Sequence, residues 1–373
     1  NNTYIIQTTG NLALNTVSTA SGIAFITVPV GSITNGSSGG SNINSGKAWL
    51  FASNNIGSAT KAITTAGGSI EGLSTLGGVY ISASGDLVIG GVTGNTTGFK
   101  ASGPINIFAA CSIRISKNSE SDDDITYGTD DDGDPDDDIT IDDNILITSK
   151  KKDASGNNNG NINFHAADKI KINKNAVISG GTITIQGKDN AGQGTLVEVY
   201  GTLTATLGVY IYGAGGNDQI VVTNVTSQTL IDGRAGNNTI YIGSEAKPTG
   251  NTGGTADGVI AQLTLTSSNG GIDNVIIDET ANVDSKVIEF TDDGGGYYIT
   301  GLSPAKIYYA GIEDLNINLA SKANSVKFRS VQSTSAIDLK TGTTGDDTIY
   351  MGNSDSSSSS TLNEIFGHVY LDA

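Results

Sequence analysis

The chain has 373 residues and a formal charge of −18, from 38 Asp and Glu against 20 Lys and Arg, with only three Arg among them. That balance excludes a nucleic-acid clamp, which needs a basic, arginine-bearing face. Glycine, at 51 residues, is about twice its ordinary share of roughly 7%, while Met, Trp and Cys occur once each. Asn, Ser, Thr, Val and Ile replace the strong helix formers, so a helical bundle is excluded too.

The N-terminus, Asn1-Asn2-Thr3, carries neither Met nor a signal peptide, and the expectation is a removed leader or a piece of something longer. No apolar run approaches the roughly 20 residues of a membrane span. Asn1 to Gln7, with Tyr4, Ile5 and Ile6, reads as a strand able to pair end to end with another copy. Residues 1–70 form a β-rich cap with the first coils. The Gly-, Ser- and Asn-rich stretches 32–46, 153–161 and 244–257, and the run Ser356 to Ser360, are expected to protrude as loops.

Residues 71–205 carry a loose repeat, a glycine followed by alternating β-branched or aromatic positions. It appears at Gly103 with Ile105 and Ile107, at Gly160 with Ile162 and Phe164, and at Gly181 with Ile183 and Ile185. Shifted versions place Val79 and Ile81 after Gly77, and Val209 and Ile211 after Leu207. The step of 21 residues from Gly160 to Gly181 suits one coil of a solenoid whose alternate side chains point inward and stack on the next coil. With short strands, Gly/Asn turns and no helical crossover, the expected fold is an all-β, right-handed parallel β-helix (β-solenoid) with loop excursions. Cys111, alone and inside an alternating segment, permits no internal disulfide and is expected to be a small buried residue.

Between Glu120 and Asp143, 13 of 24 residues are acidic and none is basic. Packed carboxylates repel, so this excursion is expected to be extended alone and tightened by a divalent cation, with Asp130, Asp132, Asp134, Asp136 and Asp138 as ligands. Its spacing is unlike an EF-hand, since Gly128 stands where the first carboxylate belongs. The alternative is a solvated acidic loop compensated by Lys150-Lys151-Lys152, or pairing with those lysines on a neighbouring subunit.

The C-terminal half holds a longer repeat, with Thr229 to Gly243 matching Ile337 to Gly352 at an offset of 109. Residues 206–314 are read as one copy and 315–373 as a second, shortened copy, with the solenoid continuing beyond it. Each copy contains a turn of the form Gly-x-x-Gly-(Asn/Asp)-(Asp/Asn)-x-Ile, also present at Gly213 and in part at Gly271. These turns resemble the calcium-binding nonapeptide of RTX β-rolls, in which carboxylates and backbone carbonyls hold a hard cation. The resemblance marks Asp218, Asn238, Asp273, Asp346 and Asp347 as calcium ligands. Where it departs, Ala214, Arg234 or Thr343 replaces the second glycine, and Arg234 would oppose a cation in its own turn. Read from the residues alone, the same turns are Asx turns whose side chains cap backbone N–H groups.

Ala305 to Leu319, Gly345 to Ile349, Leu362 to Asp372 and Ile81 to Gly90 resemble the repeats of very large bacterial exoproteins of the haemagglutinin and RTX-adhesin type. The resemblance implies a secreted or cell-surface β-helical shaft serving in adhesion, biofilm or sheath formation, and it carries over no catalytic residue. The expected partners are other copies of the chain or an extracellular glycan, and neither nucleic acid nor a membrane span. The expected function is non-enzymatic. The alternative, a β-helix polysaccharide lyase or hydrolase, needs grouped acids with a base in a groove, and nothing in the sequence places two carboxylates and a base on adjacent coils. The two histidines, His165 and His368, stand far apart, and His165 falls on the face opposite Ile162 and Phe164.

Overall fold

A computed structural model describes residues 1–130, 137–188, 192–267, 270–353 and 361–372. Among them there is no helix, and nearly all strand pairing is parallel. The chain divides into two units, Asn1–Lys188 with Leu203–Leu207, and Asp189–Thr202 with Gly208–Ala373.

In the first unit each coil contributes short strands to stacked parallel ladders. One ladder pairs Thr3–Ile6, Val17–Val28, Ile43–Ala52, Gly68–Ser74, Thr97–Ala101, Asn118–Ser121, Leu146–Ser149 and Val177–Gly187 in succession. A second aligns Ile33, Ile56, Val79, Ile105, Ile125, Ile162 and Ile183, all fully buried. A third aligns Leu87, Ile113, Ile139 and Ile170. Alternation with period two turns one apolar side chain inward and the next outward, and in-register pairing sets each inward residue on its equivalent one coil away. The inward positions Ile81, Ile105, Ile107, Ile162, Phe164, Ile183 and Ile185, and in the second unit Val209 and Ile211, are all buried. Size is matched along the stacks as well. A Cβ on Gly72 would lie 3.0 Å from the ring of buried Phe99, and buried Tyr127 donates its hydroxyl to Ser119 Oγ at 2.7 Å.

The second unit repeats the scheme. Val197, Ile220, Ile240, Val275, Leu315 and Ile337 stack along one ladder, and Val209, Thr229, Leu263 and Ile307 along another. In a third, Phe290 and Phe328 stack with centroids 4.7 Å apart. Among the described strands of this unit, Tyr297–Thr300 departs from parallel order, pairing antiparallel with both Val287–Asp292 and Ile307–Ala310. The turn that permits it contains Gly294 at φ +77°, a conformation glycine adopts without strain.

Three sequence expectations need correction. Cys111 is half-buried in the turn between Ile105–Ala109 and Ile113–Ile115. Residues 32–46 are part of a coil, since Ile33, Asn42 and Ile43 are fully buried; a Gly/Ser-rich composition hid three residues that pack. Segment 244–257 is also fastened down, with Ala246, Asn251 and Ala256 buried. Asn251 Nδ2 donates to the carbonyls of Ile242 and Ile276, and the amides of Gly254 and Ala256 donate to the buried carboxylates of Asp278 and Glu279.

Candidate functional site

The repeated turns at Gly213, Gly233 and Gly271 lie at one corner of successive coils, just before Gln219–Val222, Thr239–Ile242 and Asn274–Glu279, and Glu313 stands at the same corner before Asp314–Leu319. Their polar residues form a buried hydrogen-bonded ladder. Asp218 accepts from Thr195 N at 2.6 Å and Ala214 N at 2.9 Å. Its own amide donates to Asn238 Oδ1 at 2.9 Å. Asn238 donates through both its amide and Nδ2 to Asp273 Oδ1, at 3.0 and 2.7 Å, and Asp273 N donates to Glu313 Oε2 at 2.9 Å. Beside it, Asn237 N donates to Asn217 Oδ1 and Ile272 N to Asn237 Oδ1, each at 2.8 Å. A second corner repeats the device: Lys286 N donates to Asn324 Oδ1, while Asn324 N and Nδ2 donate to Asp347 Oδ1 at 2.8 and 3.0 Å.

Glycine makes this approach possible. Gly236 lies at φ +94°, and a Cβ there would sit 2.3 Å from Gly216 O. The structure thus brings Asp218, Asn238 and Asp273 together, with Asp347 in the second corner and Asp346 exposed beside it. Their oxygens face backbone N–H groups, the geometry of capping. Arg234 sets its guanidinium over the Tyr212 ring at 4.7 Å. Among the described residues no group of three or more His, Cys, Asp or Glu is placed to hold a metal ion.

Of the acidic stretch, Asp132, Asp134 and Asp136 lie outside the described residues, while Asp130 and Asp138 flank them, both half-buried. Cations from other coils meet much of the rest. Lys150 and Lys100 both reach Glu120, at 2.7 and 2.9 Å, and hold its carboxyl below the usual carboxylate range, Lys150 foremost. Lys151 meets Asp123 and Asp124 at 2.8 and 3.0 Å, and Arg114 meets Asp142 at 3.0 Å. Next to the acidic loop, Lys188 Nζ donates to Thr129 O, Thr129 Oγ1 to Asp137 O, and Asp137 N to Asp168 Oδ2. His165 lies on the outward face as expected, half-buried, with burial and nearby Lys188 lowering its pKa.

One concavity in the first unit has no counterpart in the sequence reading. A cavity of about 300 Å³ is lined by Trp49, Gly72, Leu73, the segment Asn95 to Thr97, and Lys100. It shares Thr97 and Lys100 with a hollow of about 100 Å³ that runs on to Asn118, Glu120 and Thr148. Its wall is fixed by Glu71, an outward residue that is nevertheless fully buried: Val92 N and Thr93 N donate to its two carboxylate oxygens at 3.0 Å each. Lys117 Nζ donates to Asn95 O from the far side. The groove draws on five successive strands of one ladder, which is why local spacing concealed it. The available signals were the single tryptophan at an outward position and a glutamate inside the run Ser69-Ile70-Glu71-Gly72-Leu73.

Fold and corners together define an all-β, solenoid-like protein of parallel coils. No family model, curated protein or solved structure matches the chain.

Proposed function

We propose that this chain is a non-enzymatic structural and adhesive β-solenoid, secreted or displayed on a cell surface, whose coils add end to end within or between copies. The observation that carries the proposal is the ladder Asp218–Asn238–Asp273–Glu313, buried as far as Asp273, in which each polar side chain joins one coil to the next. A stack with such joints gains stability with every coil added, because each coil touches only its neighbours. Calcium reinforcement belongs to the proposal at the acidic loop, through Asp130 to Asp138, and at exposed Asp346 in its turn. At the inner turns of Asp218, Asn238, Asp273 and Asp347 a cation and the capping amides compete for the same oxygens.

Electron microscopy of the purified chain tests assembly: filaments support it, and discrete particles at every concentration refute it. Thermal unfolding with EDTA and with added calcium, at matched ionic strength so that screening is not mistaken for site binding, tests the cation. A lower melting temperature in EDTA is expected, and superimposable curves would remove calcium from the account.

A further inference from the structure

We propose that the groove beside Trp49 binds a neutral glycan chain laid along the coil axis, with one sugar ring stacked on the indole. The proposal rests on the adhesive part of the reading above and is independent of calcium and of filament formation.

Three observations carry it. First, the wall is preorganised. Glu71 is fully buried on the outward face, where a carboxylate ordinarily reaches solvent, and its two oxygens are taken by the Val92 and Thr93 amides. The segment Asn95 to Thr97 is thereby held across the groove from Trp49, so that binding costs little ordering of the loop.

Second, aromatic side chains are grouped on one outward line. Tyr4, Phe25 and Trp49 occupy the same register position on three successive strands, and the rings of Tyr4 and Phe25 lie parallel at 5.0 Å. Trp49 is the member of this line that lines the cavity, and its indole suits the C–H face of a pyranose ring, which is apolar while its rim is polar.

Third, the charges around the groove come close to cancelling. Lys100, Lys117 and Lys150 stand against Glu120 and the buried Glu71, a surplus of one cation, whereas the chain as a whole carries −18, which opposes an acidic ligand. What the groove offers openly is the amides and hydroxyls of Asn95, Thr96, Thr97, Asn118 and Thr148, suited to a ligand rich in uncharged hydroxyls. From the strand of Trp49 to that of Thr148 there are four steps of the ladder, roughly 19 Å at the parallel-strand spacing, room for several sugar units.

Because Trp49 is the single tryptophan, its fluorescence reports on this groove alone. The intact chain is titrated with unbranched neutral gluco-, manno- and galacto-oligosaccharides and with uronate oligomers of the same lengths, reading emission wavelength and acrylamide quenching. Expected are a saturable blue shift and protection from quenching with at least one neutral series, little changed by salt. On the immobilised form of that glycan, Trp49→Ala is expected to bind about tenfold more weakly or worse, and Trp49→Phe to recover part of the loss. Circular dichroism checks that each variant keeps its strands, and if Trp49→Ala does not, the titrations of the unaltered chain decide. The proposal is overturned if no neutral series perturbs Trp49, if uronates bind more tightly with a steep salt dependence, or if glycan capture persists undiminished in a folded Trp49→Ala. The last result would leave the adhesive reading standing while removing this groove from it, and silence in every titration with filaments still present would remove adhesion by this groove alone.

Discussion

Asn238→Asp sets the two accounts of the repeated turn against each other. In the ladder, Asn238 Nδ2 donates to Asp273 Oδ1 at 2.7 Å inside a corner where both residues are buried. The substitution keeps the shape and the acceptor for Asp218 N but sets a second carboxylate against the first. At an effective dielectric near 20, two unit charges 2.7 Å apart repel by about 6 kcal/mol. The introduced carboxyl escapes by keeping a proton, which restores a donor toward Asp273. The cost is then that of protonating an acid of ordinary pKa at neutral pH, about 4 kcal/mol at pH 7 and about 1.5 kcal/mol at pH 5. The sign follows from linkage: the introduced group titrates higher in the folded than in the unfolded chain, so the penalty is absent below the unfolded pKa and grows as pH rises. Urea unfolding of parent and variant at a series of pH values, followed by far-ultraviolet circular dichroism, measures the difference. A calcium corner would behave oppositely, gaining a ligand. If Asn238→Asp equals or exceeds the parent in stability at pH 7 with millimolar calcium and loses that advantage in EDTA, the ladder account is wrong.

Other expectations follow from the same geometry. Burial raises the pKa of Glu279 against the opposing pull of the Ala256 amide and Lys286; a raised folded pKa contributes stability that is full below the unfolded pKa and lost as pH rises through the folded one. The melting temperature of the parent relative to Glu279→Gln should therefore rise on acidification from pH 7, and a pH-independent difference would refute this. Glu120 titrates low because of Lys150 and Lys100, so its contribution is present above the unfolded pKa and lost as pH falls through the folded one. Being nearly a third exposed, it should contribute no more than about 1 kcal/mol, and a larger, salt-insensitive loss in Glu120→Ala would contradict that. Gly236→Ala meets Gly216 O at 2.3 Å, whereas Gly253→Ala, also at positive φ, has nothing within 4 Å. The second should cost about 1–2 kcal/mol of backbone strain, the first clearly more, and equal losses in denaturant midpoint would show that coil-to-coil contact is not what requires the glycine.

The ion pairs around residues 120–143 also alter how the acidic stretch is understood. Its isolation in sequence suggested an extended, self-repelling loop. Stacking sets Lys100, Arg114, Lys150 and Lys151 from other segments against it, so Glu120, Asp123, Asp124 and Asp142 each meet a cation across coils. The triplet Lys150-Lys151-Lys152 was legible as a compensating group, and its first two members serve so within the same chain.

Alternation of Ile105 with Ile107, and of Ile162 with Phe164, announces inward and outward faces because side-chain direction in a strand has period two, a property of each segment by itself. The Gly-Asn-Asp turns were equally legible as turns, since positive φ and Asx capping are local chemistry. Which residues meet across coils was not legible, because the steps are unequal: Asp218 reaches Asn238 across 20 residues, Asn238 reaches Asp273 across 35, and Asp273 reaches Glu313 across 40. The polar strand Asn118–Ser121 would not be chosen from propensity, yet it completes a ladder between Thr97–Ala101 and Leu146–Ser149 because the neighbouring coils supply its backbone partners. The meeting of Asp218 with Thr195 and Asn238, and that of Trp49, Glu71, Lys100 and Glu120 along one groove, depend on register between distant segments, and only the stacked tertiary structure sets that register.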